Sequence, residues 1–140
     1  MPRKLTNSGF LALILALPLL FSATTPSSLR GKLTATADGR PALETTDGKR
    51  VPVTGDEPSL GVLKDKRLAG VDFEVVGELN ADGVFVVRPI HTKAMFVHRD
   101  GKKLFITYWC DVCSIRTYSP GICWCCQEET ELDLRERYDP

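Results

Sequence analysis

The dipeptide Asp-Gly occurs four times in this 140-residue chain, at Asp38-Gly39, Asp47-Gly48, Asp82-Gly83 and Asp100-Gly101, each between runs rich in β-branched or aromatic residues. Both residues tolerate the positive φ that tight reversals impose, so each pair marks a hairpin turn between two strands. A chain punctuated this often is committed to short strands. Alternation shows their faces: Val71, Phe73 and Val75 fall on one side of a strand, and Asp72 and Glu74 on the other. One side suits a core and the other suits water. Strands are expected over residues 29–36, 41–46, 49–54, 71–79 and 84–91. Pro52 and Pro89 lack the N–H that a ladder needs and argue for edge or terminal strand positions. Between the third and fourth strands, residues 56–67 carry Pro58 near a helix start and Leu60 and Leu63 at a spacing of three, which fits one short helix.

Three strands, a helix and two strands is the element order of a small five-stranded Greek-key barrel, and residues 29–92 resemble an OB-fold. The resemblance implies a barrel face that binds an oligonucleotide, a sugar or a protein. Charge argues against nucleic acid: Lys+Arg 18 balance Asp+Glu 18, leaving no overall positive field to hold a polyanion by counterion release. Phe73 and Phe85 are the candidates on which a base could stack, but Phe73 alternates with Asp72 and Glu74. That places it in the apolar set that faces the core and gives its strand acidic rather than basic neighbours. The expected partner is an unidentified protein or small molecule. No Ser-His-Asp arrangement, paired-carboxylate motif, P-loop or G-x-G-x-x-G can be read, and the chain is too short for a multidomain enzyme, so a non-enzymatic role is expected.

Arg3 and Lys4 precede an apolar run from Phe10 to Phe21, interrupted by Pro18 and followed by Ser22, Ala23, Thr24 and Thr25. A positive start, a short apolar stretch and small residues after it predict a secretory signal peptide over residues 1–28, with the mature chain beginning between Thr24 and Leu29. The protein is thus expected to be exported, to the periplasm or the extracellular space. A spanning helix needs roughly 20 apolar residues, more than this run supplies, so membrane contact is expected only through the leader if it stays uncleaved.

A second hairpin is expected over residues 93–109, where 95–98 and 103–106 face each other across Asp100-Gly101. The two-residue loop pairs Val97 with Leu104 and Phe96 with Phe105. Both faces are apolar and need cover, from the barrel on one side and from the cysteine segment on the other. The tip residues His98, Arg99, Lys102 and Lys103 read as a solvated charged turn, with contact to an acidic partner as the alternative.

All five cysteines lie within seventeen residues, at Cys110, Cys113, Cys123, Cys125 and Cys126. Cys110-Asp111-Val112-Cys113 and Cys123-Trp124-Cys125-Cys126 are two C-x-x-C units on either side of the turn Ser119-Pro120-Gly121. Such a turn lets two thiolates converge, and two turns joined by a short connection supply four sulfurs at tetrahedral positions. Cys110, Cys113, Cys123 and Cys126 are the expected ligands, zinc is the expected ion, and iron is second. Cys125 is left over. The spacing resembles zinc-ribbon and rubredoxin-like knuckles over residues 110–126, but places Ser114 and Gln127 where a knuckle glycine usually stands.

Two alternatives stay open. In an oxidising setting the cysteines could form two disulfides and leave one free thiol. Trp109-Cys110-Asp111-Val112-Cys113 also looks locally like the W-C-x-x-C of thioredoxins. That suggests a thiol-active protein for metal handling or disulfide exchange, using the C-x-x-C pairs and Cys125. Only twenty-seven residues follow Cys113, too few to complete that fold. Trp109 and Trp124 each adjoin a cysteine and are expected to shield the cluster from water. Arg116 either offsets the charge of a tetrathiolate centre or stands in solvent. His91 and His98, each read within a strand, are expected to be structural or exposed.

Residues 128–140 carry Glu128, Glu129, Glu131, Asp133, Glu136 and Asp139 against Arg135 and Arg137. This reads as an acidic tail with a solvated end, while the alternation of Leu132 and Leu134 leaves a last strand on the hairpin as the alternative. The leader, the β-domain and the segments 108–113 and 123–130 together are similar to small exported bacterial proteins to which no activity is assigned. The chain is therefore expected to be mainly β: an OB-like five-stranded barrel with one short helix (29–92), a β-hairpin (93–109), a cysteine-rich zinc-ribbon-like module (110–127) and a tail. The expected role is an exported binding or scaffold protein with a structural four-cysteine zinc site.

Overall fold

The computed structural model describes residues 1–2 and 26–138. The expected leader, apart from residues 1–2 and 26–28, lies outside the described residues. In chain order the elements are β1 (Ser27–Ala35), β2 (Pro41–Glu44), β3 (Arg50–Thr54), α1 (Glu57–Leu63), β4 (Asp72–Leu79), β5 (Phe85–Val87), β6 (Met95–Arg99), β7 (Lys102–Cys110), β8 (Ile115–Thr117) and β9 (Glu131–Arg135). One-turn 3-10 helices occupy Lys66–Leu68 and His91–Lys93.

Every Asp-Gly pair sits at a reversal, in two geometries. Gly39, Gly48 and Gly83 each donate an N–H to the carbonyl three residues back, on Thr36, Thr45 and Asn80, at 2.9, 2.9 and 3.1 Å. In these turns only the glycine has a positive φ. At the fourth, Asp100 (φ 53°) and Gly101 (φ 74°) are both left-handed, as a two-residue hairpin loop requires.

β1, β2 and β3 form an antiparallel meander. β3 pairs β5 in parallel through Val53↔Phe85 and Thr54↔Val86. β5 pairs β4, and β4 returns to β1 over Ser27↔Gly77 to Lys32↔Asp72, which closes a five-strand barrel. Pro52 lies one residue before the β3–β5 pairing begins. At Gly77 both β1 and β5 border β4, and any side chain there would collide with the Val86 carbonyl oxygen. α1 starts at an Asp56 cap, whose carboxylate accepts the Ser59 N–H at 3.0 Å. It sends Val62 and Leu63 into the barrel core.

β5 is shorter than expected. Pro89 has no N–H to donate and Ile90 turns left-handed (φ 68°), so the strand stops at Val87, and His91 opens a 3-10 turn instead of lying in a strand. The turn lays β6 on the edge of β4 that β5 has just left: β5 pairs residues 77–79 and β6 residues 72–75. The hairpin therefore extends the barrel's own sheet. One continuous core includes Leu43, Phe73 and Val75 of the barrel with Val97, Ile106 and Tyr108 of β6 and β7.

The hairpin has the expected register, Phe96↔Phe105 and Val97↔Leu104. Its second apolar face is covered from two sources: Tyr138 packs 5.7 Å from Phe105, and Tyr118 of the cysteine segment packs 5.7 Å from Tyr138. The basic tip is not simply solvated. Lys102 pairs with Glu136, Lys103 Nζ lies 3.0 Å from Glu74, and His98 Nε2 lies 2.5 Å from the same carboxylate.

The end of the chain is likewise not a solvated tail. β9 pairs β7 from Phe105↔Arg135 to Trp109↔Glu131. Leu132 and Leu134 pack against the core, and buried Thr107 donates to the Asp133 carbonyl at 2.6 Å. The open edge of β7 offers a row of unpaired backbone groups, and the two leucines supply an apolar face to match. Together these outweigh the acidic composition.

Candidate metal centre

β7 carries Cys110 at its end and turns through residues 111–114 into β8, with Cys110 opposite Ile115. That reversal places the first C-x-x-C. The second sits on a small hairpin of its own: Thr130 N–H donates to the Gly121 carbonyl at 3.0 Å, Ile122 bridges Glu129, and Cys123 N–H donates to the Glu128 carbonyl at 2.7 Å. The result brings together the sulfurs of Cys110, Cys113, Cys123 and Cys126, all within 4.8 Å of one another, with Cys110 and Cys126 Sγ 3.5 Å apart. Cys110 and Cys123 are buried, Cys113 and Cys126 are half-buried, Cys125 is exposed, and all five thiols are free.

Ser114 (φ 52°) and Gln127 (φ 65°) are both left-handed. Each directly follows the second cysteine of its pair, and a residue with a Cβ pays about 1–2 kcal/mol for that conformation. The two turns thus adopt the knuckle backbone without the knuckle glycine. Their interiors match as well. N–H groups of Cys113 and Val112 point at the Cys110 sulfur, and those of Cys126 and Cys125 at the Cys123 sulfur. At Cys123 these donors bring the thiol down to about 7. At Cys110 the Cys113 N–H pulls the same way, but burial and the neighbouring thiols Cys126 and Cys123 leave the net shift upward. Cys113 is raised by the Cys125 thiol first and then by burial.

The donor set fits a thiophilic ion. A tetrahedral centre with metal–sulfur bonds of about 2.3 Å spaces its sulfurs about 3.8 Å apart, and the four here need only small adjustments to reach that. Four sulfurs, two of them buried, can therefore hold a metal ion.

Two contacts that no motif signals tie this module to the barrel. Arg67 Nη1, from the 3-10 turn after α1, donates to the Thr130 carbonyl at 2.8 Å, and the same guanidinium lies 5.2 Å from the Tyr108 ring. His91 Nε2 meets the Tyr118 carbonyl at 2.7 Å. Arg67 is held in turn by Asp65, whose carboxylate is only 6% exposed. Tyr108 is wholly buried beside them, its phenol pushed up by burial and then by the Asp65 charge.

Two expectations fail here. Arg116 neither faces the sulfurs nor stands free: it pairs with Asp133, donates to Thr107 Oγ1 at 2.8 Å and stacks over Trp109 at 5.0 Å. β8 and β9 flank β7 on opposite edges, so Arg116 reaches across Thr107 to Asp133. Trp124 does not shield the cluster, because it is 73% exposed at the tip of the second knuckle. The chain matches no protein-family model, no curated protein and no solved structure.

Proposed function

We propose that this is an exported, non-enzymatic binding or scaffold protein in which a structural zinc ion, held by Cys110, Cys113, Cys123 and Cys126, fixes the C-terminal module on an OB-like barrel. The observation that carries the reading is the convergence of four sulfurs from two matched turns. Apart from the short strand β8 and the side-chain contacts of Arg116 and Tyr118, residues 111–130 have little packing to order them. Among them only Cys123 and Thr130 are buried, so metal binding would supply the folding energy that packing does not. When bound, zinc supplies a four-way crosslink and no redox chemistry. The chain's own residues do the rest: backbone N–H groups of Val112, Cys113, Cys125 and Cys126 hold charge on the sulfurs, and Arg67 and His91 fix the module's orientation. The test is metal analysis of protein purified without oxygen, with the free thiols counted before and after chelation. One zinc per chain and four thiols that become reactive only after chelation support the proposal. Four oxidised sulfurs without metal overturn it in favour of disulfides.

A second reading, a thiol-active protein for metal handling or disulfide exchange, is favoured by one observation. Cys125 is exposed, and its thiol is close enough to Cys113 to raise that group. Under this reading, modifying Cys125 alone releases the metal. Under the structural reading the metal stays.

A further inference from the structure

The turns that gather the sulfurs also hold apolar side chains out into water. Trp124 is 73% exposed, Val112 70% and Ile122 63%, and all three lie between Cys110 and Cys126. Val112 and Trp124 are interior residues of the two C-x-x-C turns, and Ile122 directly precedes Cys123. Singly exposed apolar residues are ordinary. Here, however, sulfurs within 4.8 Å of one another bring the two turns together around one centre, so all three exposed residues belong to one small module.

The neighbours of these three residues are acidic. Asp111 precedes Val112, Glu129 bridges Ile122, and Glu128 pairs with Cys123 through the backbone. All three carboxylates are exposed. None is a salt-bridge partner among the described residues, where the bridged carboxylates are Asp38, Glu44, Asp65, Asp72, Glu74, Asp133 and Glu136, although the Glu129 charge acts on Arg67. Four thiolates around a divalent ion add two further negative charges. An aromatic anchor among aliphatic residues within a charged rim is the composition of a binding hot spot.

The charge decides what could cover it. Anionic lipid headgroups are repelled by such a rim. A second copy docking through this same face would set one acidic rim against another, and like charges repel. The geometry points to Trp124, Val112 and Ile122, rimmed by Asp111, Glu128 and Glu129, as the docking surface for a partner-protein segment in which Lys or Arg flank an apolar side chain. The inference rests on the four-cysteine metal reading, because the metal holds the two tips together.

The test is selection of a random-peptide display library on the zinc-loaded full chain, with zinc content measured for every sample. The surface should enrich peptides that combine Lys or Arg with Trp, Phe or Leu. These should bind Trp124→Ala and the double variant Glu128→Lys/Glu129→Lys at least about tenfold more weakly, or 1.4 kcal/mol, and should weaken in about 0.5 M salt. They should bind Val86→Ala, altered at an exposed apolar residue of β5, unchanged. Enrichment of acidic or uncharged peptides, undiminished binding to a zinc-replete Trp124→Ala, no enrichment on zinc-replete protein, or Trp124-dependent binding to phosphatidylglycerol vesicles would each overturn the inference while leaving the metal site standing. Wild-type protein that takes up no zinc would overturn the metal reading beneath it.

Discussion

At the scale of single residues, burial and backbone conformation rank the five cysteines. Cys110 and Cys123 are buried and belong to the converging set, whereas Cys125 is exposed and outside it. Cys123→Ser should therefore abolish stoichiometric zinc binding, and Cys125→Ser should retain one zinc per chain, both read by elemental analysis. Gln127 holds φ 65° without being glycine, so Gln127→Gly relieves strain. It should raise stability by about 1 kcal/mol, measured by chemical denaturation of the metal-loaded protein. Away from the cysteines, Glu74 accepts from His98, Lys103 and Ser28. Burial pushes its carboxyl up, but the His98 and Lys103 hydrogen bonds and the Lys103 charge outweigh that and leave it below the ordinary range. A depressed carboxylate stabilises the fold above its unfolded-state value and loses that contribution as pH falls through the folded-state value. Glu74→Gln should thus cost on the order of 1 kcal/mol at neutral pH, and the gap from wild type should close in acid, as thermal melts across pH would show.

At the scale of elements, what the sequence revealed was local, and what it hid was pairing between distant segments. The β6–β7 register follows from a two-residue loop at Asp100-Gly101, because so short a loop leaves the strands one alignment. The four turns and the Asp56–Pro58 helix start are legible for the same reason. β9 was legible only as the alternative, from the alternation of Leu132 and Leu134, since six acidic residues from Glu128 to Asp139 signal a solvated end and the edge that recruits it lies on β7, more than twenty residues earlier. Arg67 and His91 carry no motif at all: their role depends on where the barrel sets them against Thr130 and Tyr118. The cysteine spacing showed which sulfurs would meet, but not that Trp124 would point away from them. Ending the chain at Thr130 should strip protection from the β7 amides over 105–109 in hydrogen exchange, while the barrel strands β1–β5 keep theirs. Unchanged protection would mean that β9 contributes nothing to β7.

At the scale of the whole molecule, one core runs from the barrel through β6 and β7, and the cysteine module hangs from the far end of that sheet with few buried side chains of its own. Its order should depend on the metal in a way the barrel's does not. Chelation is expected to expose the amides of 111–130 while β1–β5 remain protected, and loss of the barrel on chelation would show that the two are not separable. Arg67 and His91 reach from the barrel side to the backbone of the cysteine module, beside the contacts that Arg116 and Tyr118 make with β7 and the last residues. X-ray absorption at the metal edge of protein isolated with its native ion tests the central claim most directly. Four sulfur neighbours at about 2.3 Å, falling to three in Cys123→Ser if any metal remains, is the expected result. A first shell containing nitrogen or oxygen, or a spectrum unaltered by Cys123→Ser, would contradict it.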